Sequence, residues 1–526
     1  MTAHIPHDIS RSYLYLLVFT GGFTTLGVEL SASRLLDPWF GNSLLVWASL
    51  IGLILLYLTV GSWLGGRIAD RRPQSLVLLR LAGVAAFAVG LIPAISRPVL
   101  RLASLGLDSF DVGLLGGSMA GILVLFAVPV ILLGCISPFA VRLAIRDVQG
   151  SGGVAGRISA LSTAGSIAGS FLPVLLLIPT VGTRRTFALL SLALLLVVLA
   201  GLLRSRRTVD VVLLLAAAAL VSWLGFRPTG PLKAAEGLVY ETESTFNYIQ
   251  VLDLGVERQL RLNEGEGIHS VYRPAGGLAD GIWDYFLLAP AFNPAPYTPA
   301  DVHRIAVVGL AAGTMAHLFT EAYGPVALEG AELDPKIIET GRAWFDMNMP
   351  NLAAYPMDGR RFLANPPQGA TAAAPFDLIT VDAYRPPYIP FHLTTVEFFT
   401  LTRARLTQQG VVAVNVGRTH TDYSLVDAIA ATMQAVFPSV YIVDAPDEGS
   451  TLGNSLVVAT NQPTTLADLQ ANLPAFEWGL LGQVAAQVAP AARAAAPPAA
   501  APIFTDDRAP VEQVVHTLVL KYMLGD

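Results

Sequence analysis

The sequence predicts a bundle of about seven membrane-spanning helices, followed by a small antiparallel β-domain and a larger α/β domain. Of the 526 residues only 14% are charged, roughly half the usual share for a soluble protein. The long apolar stretches lie almost entirely within residues 13–226. After residue 300, short apolar strands alternate with helical patterns. We therefore predict domains at 1–226, 227–300 and 301–526.

Seven apolar stretches approach the length of about 20 residues that a transmembrane helix needs. The first is long and lacks a small-residue cleavage site, so it predicts a span and not a cleaved signal peptide. Glycines inside the stretches, such as Gly165 and Gly169, indicate close contacts between helices. The predicted spans are 13–34, 44–64, 76–95, 112–135, 158–181, 186–203 and 209–226.

Arginines are concentrated in the second, fourth and sixth connections between these spans. By the positive-inside rule, those connections and the N-terminus are cytoplasmic. Seven spans would then place residues 227–526 on the other side of the membrane.

Composition also excludes several kinds of site. The formal net charge is −6, which gives no support for nucleic-acid binding. The single cysteine, Cys135, excludes a disulfide framework and a cysteine-based zinc site. We predict no metal site.

The first chemical signal begins with an apolar strand at 305–308. It runs into GLAAG at 309–313, and Glu332 and Asp334 follow about 20 residues later. This is the order found in Rossmann-like nucleoside-binding domains. There the glycines, here Gly309 and Gly313, let the backbone approach the ligand, and the acid accepts from ribose hydroxyls. A capping or surface role for Glu332 is the alternative.

Two more acids follow predicted strands. Asp358, with Gly359, can accept from an adenine amino group, although an Asp-Gly pair also forms simple turns. Asp382 ends the apolar strand 376–381. An acid at the carboxyl end of a parallel strand lies at the ligand crevice and can act as a general base toward an amine.

The flanking segments carry less information. Residues 240–262 predict short antiparallel strands with a turn at Gly255. The Ala/Pro-rich stretch 485–502 predicts a flexible or partly extended connector. The turn at 506–508 either folds back over the site or lies on the surface.

Residues 237–520 resemble the spermidine synthase (polyamine aminopropyltransferase) family. They are most similar to its bacterial members with a multi-span membrane half fused in front. The resemblance implies a methyltransferase-type α/β fold. The stretches that carry it are ELDP at 332–335, DG at 358–359, VDAY at 381–384, IPFHLTT at 389–395 and TDDRAPVE at 505–512.

In that family an aminopropyl group passes from decarboxylated S-adenosylmethionine to an amine such as putrescine. By resemblance, Glu332 binds the ribose hydroxyls, Asp358 binds the adenine and Asp382 accepts the proton of the amine. S-adenosylmethionine itself is a second possible co-substrate. The other residues assigned to the donor are Gly309, Gly313, Asp334, Gly359 and Asn247.

The resemblance also implies the partners and the location. We expect no tightly bound cofactor, a small-molecule amine as substrate, the lipid bilayer as surroundings and a possible homodimer. The expected location is the bacterial inner membrane, with several crossings.

Four positions depart from the family pattern. Ala312 replaces an acid that holds the amine of the donor, Asn247 replaces a glutamine, Asp284 replaces a histidine, and Arg385 replaces a second acid after Asp382. The loss of acids from the site disfavours binding of a diamine, because a buried ammonium group needs nearby carboxylates. The acids available to compensate for this loss are Asp280, Asp284 and Asp444.

Two functions therefore stay open. The first is an aminopropyltransferase-like enzyme on the cytoplasmic side, where adenosyl donors are made. The second is a catalytically degenerate domain on a membrane bundle, used for binding, assembly or transport. The predicted topology favours the second, and we favour the cytoplasmic side because of the donor supply.

Overall fold

The computed structural model describes residues 9–41, 44–105, 113–145, 150–205, 207–228, 230–263, 267–367, 374–384, 389–446 and 452–524. The chain divides into two compact units. The first unit comprises Met1–Gln250 with Leu262–Glu266, and the second comprises Val251–Arg261 with Gly267–Asp526.

The first unit is mostly helical. A π-helical turn at Pro173–Leu177 joins its sixth and seventh helices. The helices are α1 Arg11–Phe40, α2 Leu44–Arg71, α3 Ser75–Leu105, α4 Gly113–Gly134, α5 Ile136–Ala144, α6 Ser151–Leu172, α7 Ile178–Val181, α8 Thr183–Arg204 and α9 Thr208–Phe226.

Among the described residues, seven stretches are long and apolar enough to cross a membrane. The predicted number of long apolar helical stretches is thus confirmed. Most of the helices run beyond the predicted limits, because backbone hydrogen bonding continues past the apolar centre of the stretch, whereas α4 at Gly113–Gly134 stays within them. The outer surface is apolar as well: Leu55 is 56% exposed, Val124 62%, Leu175 63% and Leu213 64%. Such a surface suits lipid and not water.

Glycines allow α1 and α6 to pack closely. A Cβ atom on Gly165 would lie 2.0 Å from the carbonyl oxygen of Phe19, and one on Gly169 would lie 2.2 Å from that of Phe23. No side chain fits at these distances, so the predicted packing role of both glycines is confirmed.

The segment after α9 is fixed to one end of the helices within the first unit. Arg34, near the end of α1, donates to the carbonyl of Phe246 at 3.1 Å. The backbone amide of Thr183, where α8 begins, donates to Glu243 at 2.7 Å. Residues 243–246 therefore lie at the end where α1 finishes and α8 starts.

Ion pairs mark the opposite end. Arg80 in the first turns of α3 pairs with Asp210 at 2.9 Å, and Arg142 pairs with Asp70 at 3.0 Å. These residues flank the connections that carry most of the arginines. The arginine-rich connections and residues 243–246 thus belong to opposite ends of the helices.

A small sheet of four strands follows in sequential order, β1-β2-β3-β4. The third and fourth strands pair antiparallel. The predicted small antiparallel sheet is confirmed. The strands are β1 Leu238–Glu243, β2 Tyr248–Asp253, β3 Arg258–Leu262 and β4 Ile268–Tyr272.

The second unit contains an eight-stranded sheet of order β12-β10-β11-β9-β8-β5-β6-β7. Strands β9, β8, β5, β6 and β7 run parallel, whereas β11 is antiparallel to both of its neighbours. The strands are β5 Arg304–Val308, β6 Ala327–Glu332, β7 Leu352–Pro356, β8 Phe376–Val381, β9 Leu406–Thr419, β10 Ser439–Asp444, β11 Leu452–Thr460 and β12 Ala492–Ala494.

Helices of the second unit connect these strands. The predicted α/β fold is confirmed, since each parallel connection between β5 and β9 passes through a helix. The helices are α10 Ile282–Tyr285, α11 Thr314–Tyr323, α12 Pro335–Trp344, α13 Gly359–Ala364, α14 Val396–Ala404, α15 Ser424–Gln434, α16 Leu466–Asn472, α17 Gly479–Ala491 and α18 Val511–Leu524.

The prediction of a connector at 485–502 is wrong for residues 485–494. The helix α17 runs to Ala491, and Ala492–Ala494 form the edge strand β12 beside β10. Alanine is a good helix former, and the antiparallel edge of β10 supplies hydrogen-bond partners that composition does not reveal.

Replacing Gly165 by leucine should destabilise the helices by about 1–3 kcal/mol, because the new side chain meets a backbone carbonyl that cannot move aside. Gly156→Leu is the matched control, since nothing lies within 4 Å of a Cβ at that position of the same helix. Thermal unfolding of the full-length protein in detergent measures both variants. Equal losses of stability would contradict the packing role of Gly165.

Candidate active site

The order of the parallel strands brings the predicted site residues into one row. The carboxyl ends of β8, β5, β6 and β7 are neighbours, and they carry Asp382, Gly309, Glu332 and Asp358 in that order. The order in which successive strands are added to the sheet changes side between β5 and β8, which stay parallel, and the crevice at such a switch point is where open α/β sheets bind ligands.

The glycine turn after β5 needs both of its glycines. Gly309 has a φ of 88° and Gly313 a φ of 96°, values that favour glycine. A Cβ on Gly309 would lie 2.3 Å from the carbonyl oxygen of Asp382, and a Cβ on Gly313 would lie 2.7 Å from Met347. The turn therefore packs directly on the backbone that carries Asp382.

Glu332 at the end of β6 faces this turn. Its carboxylate accepts hydrogen bonds from the amides of Ala311 and Asp334, each at 3.0 Å. Burial raises the pKa of Glu332 to about 7, and the two amides oppose that shift. Asp334 lies two residues further along the chain. Its side chain is almost fully buried and caps α12 by accepting a hydrogen bond from the backbone amide of Lys336 at 2.9 Å.

Asp358 begins α13 and caps it through the amide of Arg361 at 2.9 Å. The Nε2 atom of His392 lies 2.8 Å from the other carboxylate oxygen, and this hydrogen bond holds the pKa of Asp358 below its usual range. Gly359 is required next to it, because a Cβ there would lie 2.3 Å from Val308 in β5.

The C-terminal turn folds back onto this side of the site. Arg360 donates two hydrogen bonds to Asp506, at 2.7 and 2.6 Å, and the Thr395 hydroxyl donates to the same residue at 2.8 Å. Of the two placements predicted for residues 506–508, the fold-back is the one observed.

Asp382 is held by two neutral donors that the sequence did not single out as a site. The Trp283 indole donates to one carboxylate oxygen and the Asn415 amide to the other, both at 2.9 Å. Burial raises the pKa of Asp382, and both hydrogen bonds oppose the shift. Asn415 could have been identified as a candidate site residue from the sequence, because it is a polar residue within the otherwise apolar strand 411–416.

The three acids considered as compensation are all engaged elsewhere. Asp284 is buried and accepts from the amides of Ala279 and Gly281 at 2.8 and 3.2 Å. Asp280 pairs with Arg273 at 2.8 Å. Compensation by these two acids would require breaking structural contacts.

Asp444 is neutralised by cations. It pairs with Arg493 at 2.6 Å and with Arg418 at 3.7 Å, and both guanidinium groups lie over the ring of Tyr423. An acid that already has two arginine partners offers little attraction to an amine.

Ala312 and Asn247, two positions that depart from the family pattern, take part in other hydrogen bonds. Ala312 is buried, and its amide donates to the Ser270 hydroxyl at 2.9 Å. Asn247 belongs to the first unit, where its side chain accepts from Asn263 at 3.2 Å. Arg385 lies outside the described residues. Within the described part of the chain, no group of three His, Cys, Asp or Glu side chains is arranged to hold a metal ion.

Comparison with known proteins finds similar proteins for about half of the chain. A probable polyamine aminopropyl transferase of Bifidobacterium longum (strain NCC 2705) is 30% identical over 298 residues, which cover 52% of this chain and 61% of the relative. The chain is thus similar to polyamine aminopropyltransferases over about half of its length. The predicted family resemblance is thereby confirmed.

A second polyamine aminopropyltransferase, from Vibrio vulnificus (strain CMCP6), is 28% identical over 169 residues, or 32% of this chain and 52% of that protein. The chain thus spans about half to three fifths of the length of both aminopropyltransferases. No family model matches the chain.

Solved spermidine synthases are similar at lower identity. A probable spermidine synthase from Corynebacterium glutamicum ATCC 13032 is 20% identical, with a TM-score of 0.39 over 52% of this chain and 97% of its own. The spermidine synthase from Thermotoga maritima is 14% identical, with a TM-score of 0.36 over 55% and 87%.

Glu332 should make stability depend on pH. Its pKa lies near 7 in the folded chain against an ordinary value of 4.5, so folding favours the protonated form. The stability that this residue contributes is complete below about pH 4.5 and is lost as the pH rises to about 7. Glu332→Gln should therefore gain stability relative to the wild type across that window.

Thermal unfolding of the full-length protein at a series of pH values measures this difference. Glu339→Gln, which changes an exposed glutamate that pairs with Lys336 on α12, is the control. A difference between wild type and Glu332→Gln that stays constant with pH would show that Glu332 is not the titrating group.

Proposed function

We propose that the protein is a membrane-bound, aminopropyltransferase-like enzyme. It transfers an aminopropyl group from decarboxylated S-adenosylmethionine to an amine acceptor such as putrescine. The observation that carries the proposal is the Asp382 carboxylate, which is buried beside the glycine turn and held by neutral donors alone.

The row of acids supports a nucleoside site. Gly309 and Gly313 leave the turn free of side chains, so a ligand can approach the backbone. We assign the ribose hydroxyls to Glu332, because its oxygens already lie at the turn and its ionised form accepts hydrogen bonds. We assign the adenine amino group to Asp358, whose pKa is held low by His392.

Asp382 is the proposed proton acceptor. The acceptor nitrogen attacks the carbon bonded to the sulfonium, the C–S bond breaks with its electrons going to sulfur, and the amine loses a proton to Asp382. Methylthioadenosine leaves. A buried carboxylate with a raised pKa binds the proton more readily than an exposed one. Trp283 and Asn415 hold the carboxylate in place for this transfer.

The neighbouring acids support an acceptor with few positive charges. Asp280, Asp284 and Asp444 are engaged in structural contacts, which leaves Asp382 to face the incoming amine. A polyamine with two or more charges would need additional carboxylates to leave water. The same reasoning favours S-adenosylmethionine as an alternative donor, since its tail carries a carboxylate of its own.

Asp382→Asn should reduce the rate of transfer about 10²- to 10⁴-fold, the usual contribution of a general base. Binding of methylthioadenosine should stay unchanged, because Asp382 acts on the amine and not on the nucleoside. Glu332→Ala should do the opposite and weaken nucleoside binding about tenfold or more. Calorimetry and product assays on the full-length protein measure the two effects separately.

The variant Asn415→Leu is a second test of Asp382 as the proton acceptor. Removing one donor should raise the pKa of Asp382 further and move the acidic limb of the rate profile to higher pH. An intact rate in Asp382→Asn, or no nucleoside binding by folded wild type, would count against the enzyme.

A binding or assembly module is the second candidate, and the helix arrangement of the first unit favours it. Residues 243–246 lie at the end of the helices opposite to the arginine-rich connections. With arginines on the cytoplasmic side, the chain after α9 emerges on the outer side. Adenosyl donors are made in the cytoplasm, so an outer location argues for sensing or assembly.

Cysteine labelling distinguishes the two candidates. Cys135 is buried, so a cysteine introduced at Val256, which is 80% exposed, reports the side of the membrane. Val256→Cys should react with an impermeant maleimide in intact cells if the segment is outside. Gly152→Cys, in the exposed first turn of α6 next to the fourth connection, should react only after lysis. The reverse pattern would favour the cytoplasmic enzyme.

A further inference from the structure

Three arginines lie at one end of the first unit without an ion-pair partner. Arg97 lies near the end of α3, Arg184 lies in the first turn of α8, and Arg227 directly follows α9. In the described part of the chain, none of the three forms an ion pair or a side-chain hydrogen bond. We call them the arginine cluster.

Arg97 is the most constrained member of the cluster. Its Nε and Nη2 atoms are buried and have no hydrogen-bond partner. The segment after α9 covers it, since a Cβ on Gly230 would lie 3.7 Å from Nη1 of Arg97. A buried charged donor without an acceptor is costly, because it has lost its water and gained nothing in return.

The nearby carboxylates do not supply the missing acceptors. Glu241 accepts from the amide of Leu232 at 3.0 Å and from the hydroxyl of Tyr248. Glu243 accepts from the amide and the hydroxyl of Thr183. Both act electrostatically on Arg184 without forming an ion pair. Burial also raises the pKa of Glu243, which reduces the negative charge available.

The remaining charge is therefore positive. Arg97 and Arg227 both act on Arg184, and like charges repel at short range. The carboxylates of Glu241 and Glu243 already accept hydrogen bonds from neutral donors, so they balance the positive charge of the arginines only in part. An anion between the guanidinium groups would satisfy the free donors and remove the repulsion.

We propose that the arginine cluster is a binding site for a phosphate group. Guanidinium groups bind phosphate in a bidentate manner, and several of them suit its charge better than that of one carboxylate. The site lies at the end of apolar helices, where phospholipid headgroups are found. Arg227 lies over the ring of Trp223, 4.4 Å from its centroid, a pairing typical of the membrane interface.

The test uses full-length protein, purified in detergent and freed of lipid. Three probes are added separately: dioleoylphosphatidylglycerol, dioleoylglycerol, which lacks the phosphate, and inorganic phosphate. Native mass spectrometry measures lipid binding, and thermal unfolding measures stabilisation by each probe. The phosphate-bearing lipid should bind and raise the melting temperature, and dioleoylglycerol should do neither.

Arg97→Gln should weaken that binding about tenfold, because it removes charged hydrogen bonds, and Arg97→Lys should restore it in part. Arg101→Gln is the matched control, since Arg101 lies one turn further along α3, is exposed and already has a partner. Arg184→Gln provides a second variant if Arg97→Gln does not fold.

Stabilisation by inorganic phosphate alone would also support the site and would identify a soluble anion as its ligand. The proposal is overturned if neither phosphate-bearing probe binds the wild type. It is equally overturned if Arg101→Gln loses as much affinity as Arg97→Gln.

Discussion

The close approach of Gly309 to the backbone of Asp382 is the contact on which the site depends. Without a Cβ at this position, the turn after β5 lies directly on the end of β8. The backbone amide of Asp382 donates to Val308 at 2.8 Å, which continues the parallel pairing to the last residue. This contact fixes the proposed proton acceptor relative to the turn, and the next strand adds Glu332 to the same edge.

The charge environment of Asp382 differs from what a polyamine needs. Trp283 and Asn415 donate to it without bringing a charge, while nearby acids are consumed by helix caps and arginine pairs. Such a site keeps the proposed proton acceptor but provides little attraction for a second ammonium group. The chemistry of the family and a less highly charged substrate are therefore compatible in this chain.

The first unit is held by contacts of another kind. Small residues let α1 and α6 approach until side chains are excluded, as is usual where lipid removes the hydrophobic drive for helix association. At one end of these helices, Glu241 and Glu243 accept hydrogen bonds from neutral donors, while two buried nitrogens of Arg97 have no acceptor. That imbalance is a property of the fold, since Arg97 lies in α3 and the two glutamates lie in β1, more than 140 residues later.

Local patterns in the sequence were enough to predict the seven long apolar helices, the two sheets and the acids that follow the parallel strands. Each of these depends on local patterns: apolar length for the helices, and an acid that follows a strand for the site. Only the tertiary structure decided which groups meet. Trp283 and Asn415 reach Asp382 from positions 99 and 33 residues away, and Asp506 reaches Arg360 from 146 residues away. The tertiary structure also places part of the alanine-rich stretch in an edge strand, because β10 provides hydrogen-bond partners for Ala492–Ala494. Such contacts depend on how elements that are far apart in the sequence pack together, and no short sequence pattern predicts that packing.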